Sequence, residues 1–351
     1  MWREILKPSE VYSESEKIVQ LMSTLMCFRI ENLDNLMNWL SETNFIRSDG
    51  HLMLFCDILL NCSEYNIENI DNYVKIIVQV NKSFNVQFQN VNLKEYLLSF
   101  CSNPVHLTNA QCLFLLKCLQ AGIFNTEECL LHFHYFFDID YKIPNMWLPF
   151  VVWFGPIIEE HDHALFRDCI RQYVTFFKRL YTEKTLENKA NQFEELQKNK
   201  WNYVTDPHLI GTNPFALYNI IKNDDLSSLH KFYQNKKVKV NSRIDPSIVE
   251  LNGFMDYSPA LIEVAAFFNS TKCFQFLLSK LSKLDVCDKR GFNVIHYAAA
   301  GGNMEMVDRL LAMGFSFEGV FQFAAYCHRY ELVEQLYLQY PDFIDHPMKN
   351  Y

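Results

Sequence analysis

The stretch Asp288-Lys-Arg-Gly-Phe-Asn-Val-Ile-His296-Tyr-Ala-Ala-Ala-Gly-Gly-Asn-Met-Glu-Met-Val-Asp-Arg-Leu310-Leu-Ala-Met-Gly314 decides how the rest of the chain is read. It opens on turn residues and runs through two short apolar helical patterns joined by Gly301-Gly302. Gly291 permits the positive φ that a tight turn before a helix often needs. Asn293 offers a side-chain oxygen to cap the first helix. Ala298 and Ala299 are small enough for a neighbouring element to approach closely. Gly302 lets the chain leave the first helix in a left-handed conformation. Met306, Val307, Leu310 and Leu311 share one apolar helical face.

A unit of this size cannot bury its own apolar face, so neighbouring copies are expected. Ala265-Ala266 precedes Ala298-Ala299 by 33 residues, and Leu277-Leu278 precedes Leu310-Leu311 by the same interval. Ala324-Ala325 and Glu331-Leu-Val333 repeat the pattern after only 26 residues. That shortening, between Gly314 and Phe323, predicts the loss of a hairpin finger. Ile220-Ile221 and Phe232-Tyr233 form a weaker upstream copy, followed by an insert from Asn235 to Tyr257. The reading gives about four units, at 215–234, 257–287, 288–319 and 320–345.

This pattern resembles the ankyrin repeat, a β-turn followed by two antiparallel helices. Asn293-Val-Ile-His296 stands where that family has Thr-Pro-Leu-His, with two of the four positions substituted. The resemblance implies that His296 donates within the turn network. Three further stretches extend it: Asn219-Ile-Ile-Lys-Asn-Asp-Asp-Leu, Asn241-Ser-Arg-Ile-Asp-Pro-Ser-Ile, and Ser258-Pro-Ala-Leu-Ile-Glu-Val-Ala-Ala-Phe-Phe-Asn-Ser270. In that order they are similar to the expanded ankyrin families of parasitic protists, which join an uncharacterised helical domain to a few divergent repeats. Over roughly residues 205–345 this implies an intracellular protein with no established activity.

The first 200 residues read as a succession of helices without a fixed period, so the expected fold class is all-α: an N-terminal helical bundle or array followed by a short ankyrin-repeat solenoid. Helical spacing covers Glu10–Met26, Asn32–Trp39, His51–Cys62, Ile67–Val80, Asn109–Leu119 and Thr126–Phe137. Asn66, Thr108 and Asn125 stand where N-caps belong, and Glu128 follows Asn125 at capping-box spacing. Ser83 to Val91 alternates and is compatible with a short strand. Ile143 to Ile158 is the most apolar run, too short to span a bilayer and interrupted by prolines. Arg167 to Lys200 reads as one long amphipathic helix leading to a domain boundary between 200 and 205.

Composition narrows the function. Apolar residues make up 49% and charged residues 21%, which describes a folded chain. The net charge of −9, from 32 basic and 41 acidic residues, argues against general nucleic-acid or anionic-membrane binding. The eleven cysteines form no Cys-x-x-Cys pair, and most lie in apolar helical runs, as reduced thiols in a cytoplasmic protein would. The first eight residues hold no apolar core of a secretory signal.

Local catalytic motifs are missing: no nucleophile elbow, phosphate loop, dinucleotide fingerprint or zinc helix. Glu159-Glu-His-Asp-His163 gathers five metal-capable side chains, and His132-Phe-His134 lies near Asp138 and Asp140. A loop and helix-end residues account for both clusters more simply than ligation does. The expected function is therefore non-enzymatic, with no cofactor: an adaptor or scaffold that binds another protein through the concave repeat face. The alternative is a metal-dependent or catalytic helical domain targeted by the repeats. The positions after the paired alanines and around the turn glycine are the candidate partner-binding residues. They are Phe267, Phe268, Ala300, Gly301 and Tyr326 (with Cys327 beside it), and Lys289, Arg290 and Phe292 on the finger. Phe267, Phe292 and Tyr326 are expected to form an aromatic row, unless the 235–257 insert folds back over it.

Overall fold

A computed structural model of the protein describes residues 8–84, 92–102, 104, 107–138, 148–180, 183–206, 208–210, 213–235, 239, 242–280 and 287–341. The chain divides into two compact units, Met1–Gly211 and Thr212–Tyr351. Among the described residues the regular structure is helical, with no β-strand and two isolated antiparallel bridges. The fold class is all-α.

The first unit contains α1 (Pro8–Met26), α2 (Leu33–Glu42), α3 (Asp49–Tyr65), α4 (Ile70–Ser83), α5 (Leu93–Ser102), α6 (Asn109–Gln120), α7 (Thr126–Asp138), α8 (Leu148–His161), α9 (His163–Leu180), α10 (Glu183–Lys198) and the single turn α11 (Asn202–Thr205). Helices two apart in the chain lie side by side: α3, α5 and α7 form one row, and α4, α6 and α8 a second. α6 sits between α4 and α8 and also touches α3, which is why it is apolar nearly all round, from Ala110 to Leu116. Thr108 and Gln111 close a capping box at its start, and Asn125 and Glu128 exchange reciprocal bonds of 3.0 and 2.9 Å ahead of α7.

Other expectations for this unit need correction. Asn66 caps nothing with its side chain; its amide donates to the Met26 carbonyl at 2.6 Å. α5 was not anticipated from the sequence. Arg167–Lys200 contains parts of two described helices, α9 and α10, while residues 181–182 lie outside the described residues; of the suggested strand at 83–91, Ser83 ends α4 and 85–91 lie outside the described residues. α8 runs through Pro149 in its first turn, where a missing N–H is harmless, and continues past Pro156.

Among the described residues the second unit holds four helix pairs: α12 (Ala216–Lys222) with α13 (Leu226–Gln234), α14 (Leu261–Phe267) with α15 (Thr271–Lys280), α16 (Val294–Gly301) with α17 (Met304–Ala312), and α18 (Val320–Tyr326) with α19 (Tyr330–Gln339). The inner helices α12, α14, α16 and α18 pack in that order, and the outer helices lie behind them. Ala265, Ala266, Ala298 and Ala299 are fully buried at the inner-helix contacts. Gly301 marks the closest approach: a Cβ there would lie 2.3 Å from the Phe267 carbonyl oxygen. Gly302 takes φ +80° at the end of α16, as its position in the sequence requires.

Side chains also stitch neighbouring pairs together. Asp224 accepts from the Lys272 and Cys273 backbone N–H groups at 3.2 and 2.8 Å, capping α15 from the preceding pair. The carbonyls ending α16 are met from both sides: Asn269 donates to Gly301 O at 3.3 Å, and Arg329 Nε to Ala300 O at 2.7 Å. None of the eleven cysteines is in a disulfide, and most are buried. Burial raises the Cys62 and Cys273 thiols to about 12, so they pack as small apolar groups.

Candidate functional site

Fingers form where the chain enters an inner helix. Before α16 the finger is short: Cys287 and Asn293 bridge, and Asp288 N–H donates to Phe292 O at 2.7 Å. The buried Asp288 carboxylate organises it, accepting from Arg290 N at 2.7 Å, Phe292 N at 3.0 Å, Arg290 Nε at 3.0 Å and the Tyr297 hydroxyl at 2.9 Å. Before α14 the corresponding bridge is Arg243–Ala260, and the residues between them form a longer excursion with a 3-10 turn at Gly253–Tyr257. Buried Glu250 anchors that excursion, accepting from Asn213 Nδ2 at 2.8 Å and Asn252 N at 3.0 Å.

His296 and Glu263 occupy the same place in successive units, 33 residues apart. Asn293 N donates to His296 Nδ1 at 3.2 Å, and His296 Nε2 meets Glu318 O at 3.1 Å, so the neutral ring spans from its own finger to the next loop. Burial lowers its proton affinity. Glu263 accepts from Ala260 N at 2.6 Å through one oxygen, while Oε1 is buried with no hydrogen-bond partner among the described residues. Burial pushes its carboxyl up to about 8, opposed by the Ala260 N–H and partly by Arg243 and Arg290.

The expected partner-binding residues separate into two groups. Phe267 and Ala300 are buried, at 8% and 0% exposure, which corrects the expectation that they face outward. α14 and α16 meet so closely at their C-terminal ends that these positions turn into the contact, and Cys327 is buried likewise. The insert does fold back: the Phe254 ring lies 5.5 Å from Phe267 and 6.1 Å from Phe323. Phe292 is half-buried and packs 4.4 Å from Phe323. Phe268 is half-buried against Tyr218, under Lys222 Nζ at 5.4 Å. Gly301 is a packing glycine. An exposed aromatic row is therefore not what these residues form: Phe267 is buried and Phe292 half-buried in an interior cluster, while Tyr326 is 62% exposed.

Two of the candidates, Lys289 and Tyr326, are exposed. Arg290 is partly exposed and held: its guanidinium carbon lies 3.8 Å from the Tyr257 ring centroid, 4.8 Å from Phe292 and 5.2 Å from Phe254. Lys289 N–H donates to Tyr257 O at 3.2 Å, which ties the two fingertips together. Tyr257, 39% exposed, is the residue that sequence reasoning missed. It lies at the end of an insert with no counterpart in the repeat, so no spacing pointed to it.

Members of the acidic and histidine clusters take structural roles, while Asp140 and the Asp138 side chain lie outside the described residues. Glu159 accepts from Gln197 Nε2 and Trp201 Nε1, each at 2.7 Å. Asp162 caps α9 through Ala164 and Leu165 and meets His134 Nε2 at 2.7 Å, while His161 Nδ1 contacts Ile157 O. His132 pairs with Ser102. Among the described residues no three His, Cys, Asp or Glu side chains converge as a metal site.

Comparison with known families bears on the second unit alone. The family described as ankyrin repeats (many copies) matches residues 262–311, the span from α14 into α17. No curated protein matches the chain. Fold and match together describe an all-α protein with a stretch similar to ankyrin repeats, modules that generally mediate protein–protein contacts and are typically non-catalytic. No helix among the described residues is long and apolar enough to cross a membrane.

Proposed function

We propose that this protein is a non-enzymatic adaptor whose repeat unit holds a protein partner at the fingertips and along the inner-helix side. The observation that carries this reading is the Arg290–Tyr257 stack at 3.8 Å, which joins the tips of two successive fingers. Aromatic and Arg side chains supply a disproportionate share of binding energy, most of all when they are already held in place. Asp288 fixes Arg290 from beneath, so the pair loses little conformational freedom on binding. Exposed Lys289 adjoins it in the chain, and exposed Tyr326 at the end of α18 and half-buried Phe268 are the further candidate contacts. The two-domain layout, a cytoplasmic setting and kinship with the protist ankyrin families belong to the same proposal.

Proximity labelling in the native cell tests it. The full chain and a Tyr257→Ala/Lys289→Glu/Tyr326→Ala variant are compared at matched melting midpoints. The variant is expected to lose proteins that the parent labels. A profile unchanged both in this variant and on deletion of residues 212–351 overturns recognition through the repeats.

A further inference from the structure

We propose that the chain also associates with a second copy of itself, the outer face of α19 in one copy seating on the outer face of α13 and α15 in the next. α13 carries His230 and Lys231, α15 carries Lys272 and Lys280, and neither helix contains an Asp or Glu. In a chain of net charge −9 this is a local reversal of sign. Lys231 and Lys280 are exposed and make no ion pair among the described residues. Between the two helices lies half-buried Phe276, its ring 4.3 Å from His230 and 5.2 Å from Tyr233, with Lys280 Nζ 5.7 Å from its centroid.

The complementary composition stands on α19, which has no Lys or Arg. Glu331, Glu334 and Leu338 fall at i, i+3 and i+7 and form one exposed stripe, flanked by Tyr337. Leu338 and Tyr337 are 71% and 60% exposed. The outermost pair of a helical solenoid ordinarily presents a polar outer face, since no further repeat covers it. Here that face pairs acidic with large apolar side chains, matching a groove that pairs basic with aromatic ones.

Along the row of helix pairs the two faces are separated by α17, so a second copy is needed to bring them together. The contact is head to tail and does not close on itself by symmetry. A polyanion is a poorer fit than a helix. Tyr233 and Phe276 meet edge-on, at 86°, and are half-buried, leaving no flat ring for a base to stack on. The groove spans one helix–helix spacing, ~10 Å, the width of a single helix. Exposed ion pairs are individually weak. Burial of Leu338 and Tyr337 supplies the apolar contribution, and the charges set the orientation.

Analytical ultracentrifugation of the full chain tests this. At low salt its mass is expected to rise with concentration from 41.5 kDa, and to fall back in high salt. Lys231→Glu/Lys280→Glu and Glu331→Lys/Glu334→Lys should each remain monomeric with unchanged melting midpoints. Mixing the two should restore association, because the first keeps a native acidic face and the second a native basic one. Leu338→Ala should weaken association by about tenfold. A wild-type chain that stays monomeric, association that survives either reversal, or a mixture that stays monomeric overturns the proposal. These variants leave Tyr257, Lys289 and Tyr326 intact, so the labelling experiment reads out independently.

Discussion

In the first unit α3, α5 and α7 pack in succession beside α4, α6 and α8; in the second, α12, α14, α16 and α18 do the same beside their outer partners. Both are stacked helical hairpins, yet only the second has a period that can be read from its residues. The reason lies in how closely the helices approach. Between α14 and α16 a single added carbon at Gly301 would collide with backbone, so small residues must recur at fixed places. The first unit fills its contacts with large side chains: Phe150 stacks 4.2 Å from Phe154 and 4.6 Å from Phe133. Many combinations of large residues fill such a space, so no residue type is forced to recur.

The sharpest way to break this comparison is Phe150→Ala. The ring is fully buried, and its loss should cost about 3–5 kcal/mol through a cavity in the first unit. Calorimetry should show the transition of that unit lowered and the other unmoved. An equal fall in both would mean that the two units unfold as one.

Asp288→Ala is the counterpart in the second unit. It strips four hydrogen bonds from one finger and leaves Arg290 without its partner, with an expected loss of about 3 kcal/mol. A midpoint that barely moves would mean that the finger contributes little to the repeat. Ala299→Leu, at the inner-helix contact, should cost about 1–3 kcal/mol by overpacking. The same enlargement at Ala110 in the first unit would sharpen the contrast if its large neighbours repack and the cost is lower.

A further expected effect depends on pH. Glu263 has its carboxyl raised to about 8 in the folded protein, so the stability it contributes is complete below the ordinary carboxylate range and is lost as pH rises through about 8. The second unit should therefore melt lower at alkaline pH. Glu263→Gln should remove that dependence, a gain of about 1–3 kcal/mol above the transition. Identical pH profiles for parent and variant would place the carboxyl outside the titration.

Legibility followed the local chemistry. Asn293 accepts from Ile295 N at 3.2 Å as its place before the apolar run predicts, and the Asn125–Glu128 box is present. Such signals act within four residues, so the sequence displays them directly. Asn66 misled because its neighbourhood looks like a cap, whereas its side chain bonds a carbonyl 40 positions away. For the candidate residues only exposure can be compared: Lys289 and Tyr326 are exposed as the repeat pattern predicts, Phe267 and Ala300 are buried against it, and no spacing points to Tyr257.

By itself the sequence determined the helical character of this protein, the spacing of its repeat pairs, and the turn and cap residues that begin and end them. Backbone propensity, side-chain capping and apolar periodicity act over one or two turns and leave a direct record in residue order. The tertiary structure alone decided which side chains remain for a partner. Exposure depends on what packs from elsewhere: Phe254 from the insert covers Phe267, α14 closes over Gly301, and Tyr257 reaches Arg290 only because two fingers of unequal length end at the same place. Those contacts join residues of different elements, the last two more than 30 positions apart, and burial is set by such neighbours in space, whose identity the order of residues along a single helix does not contain.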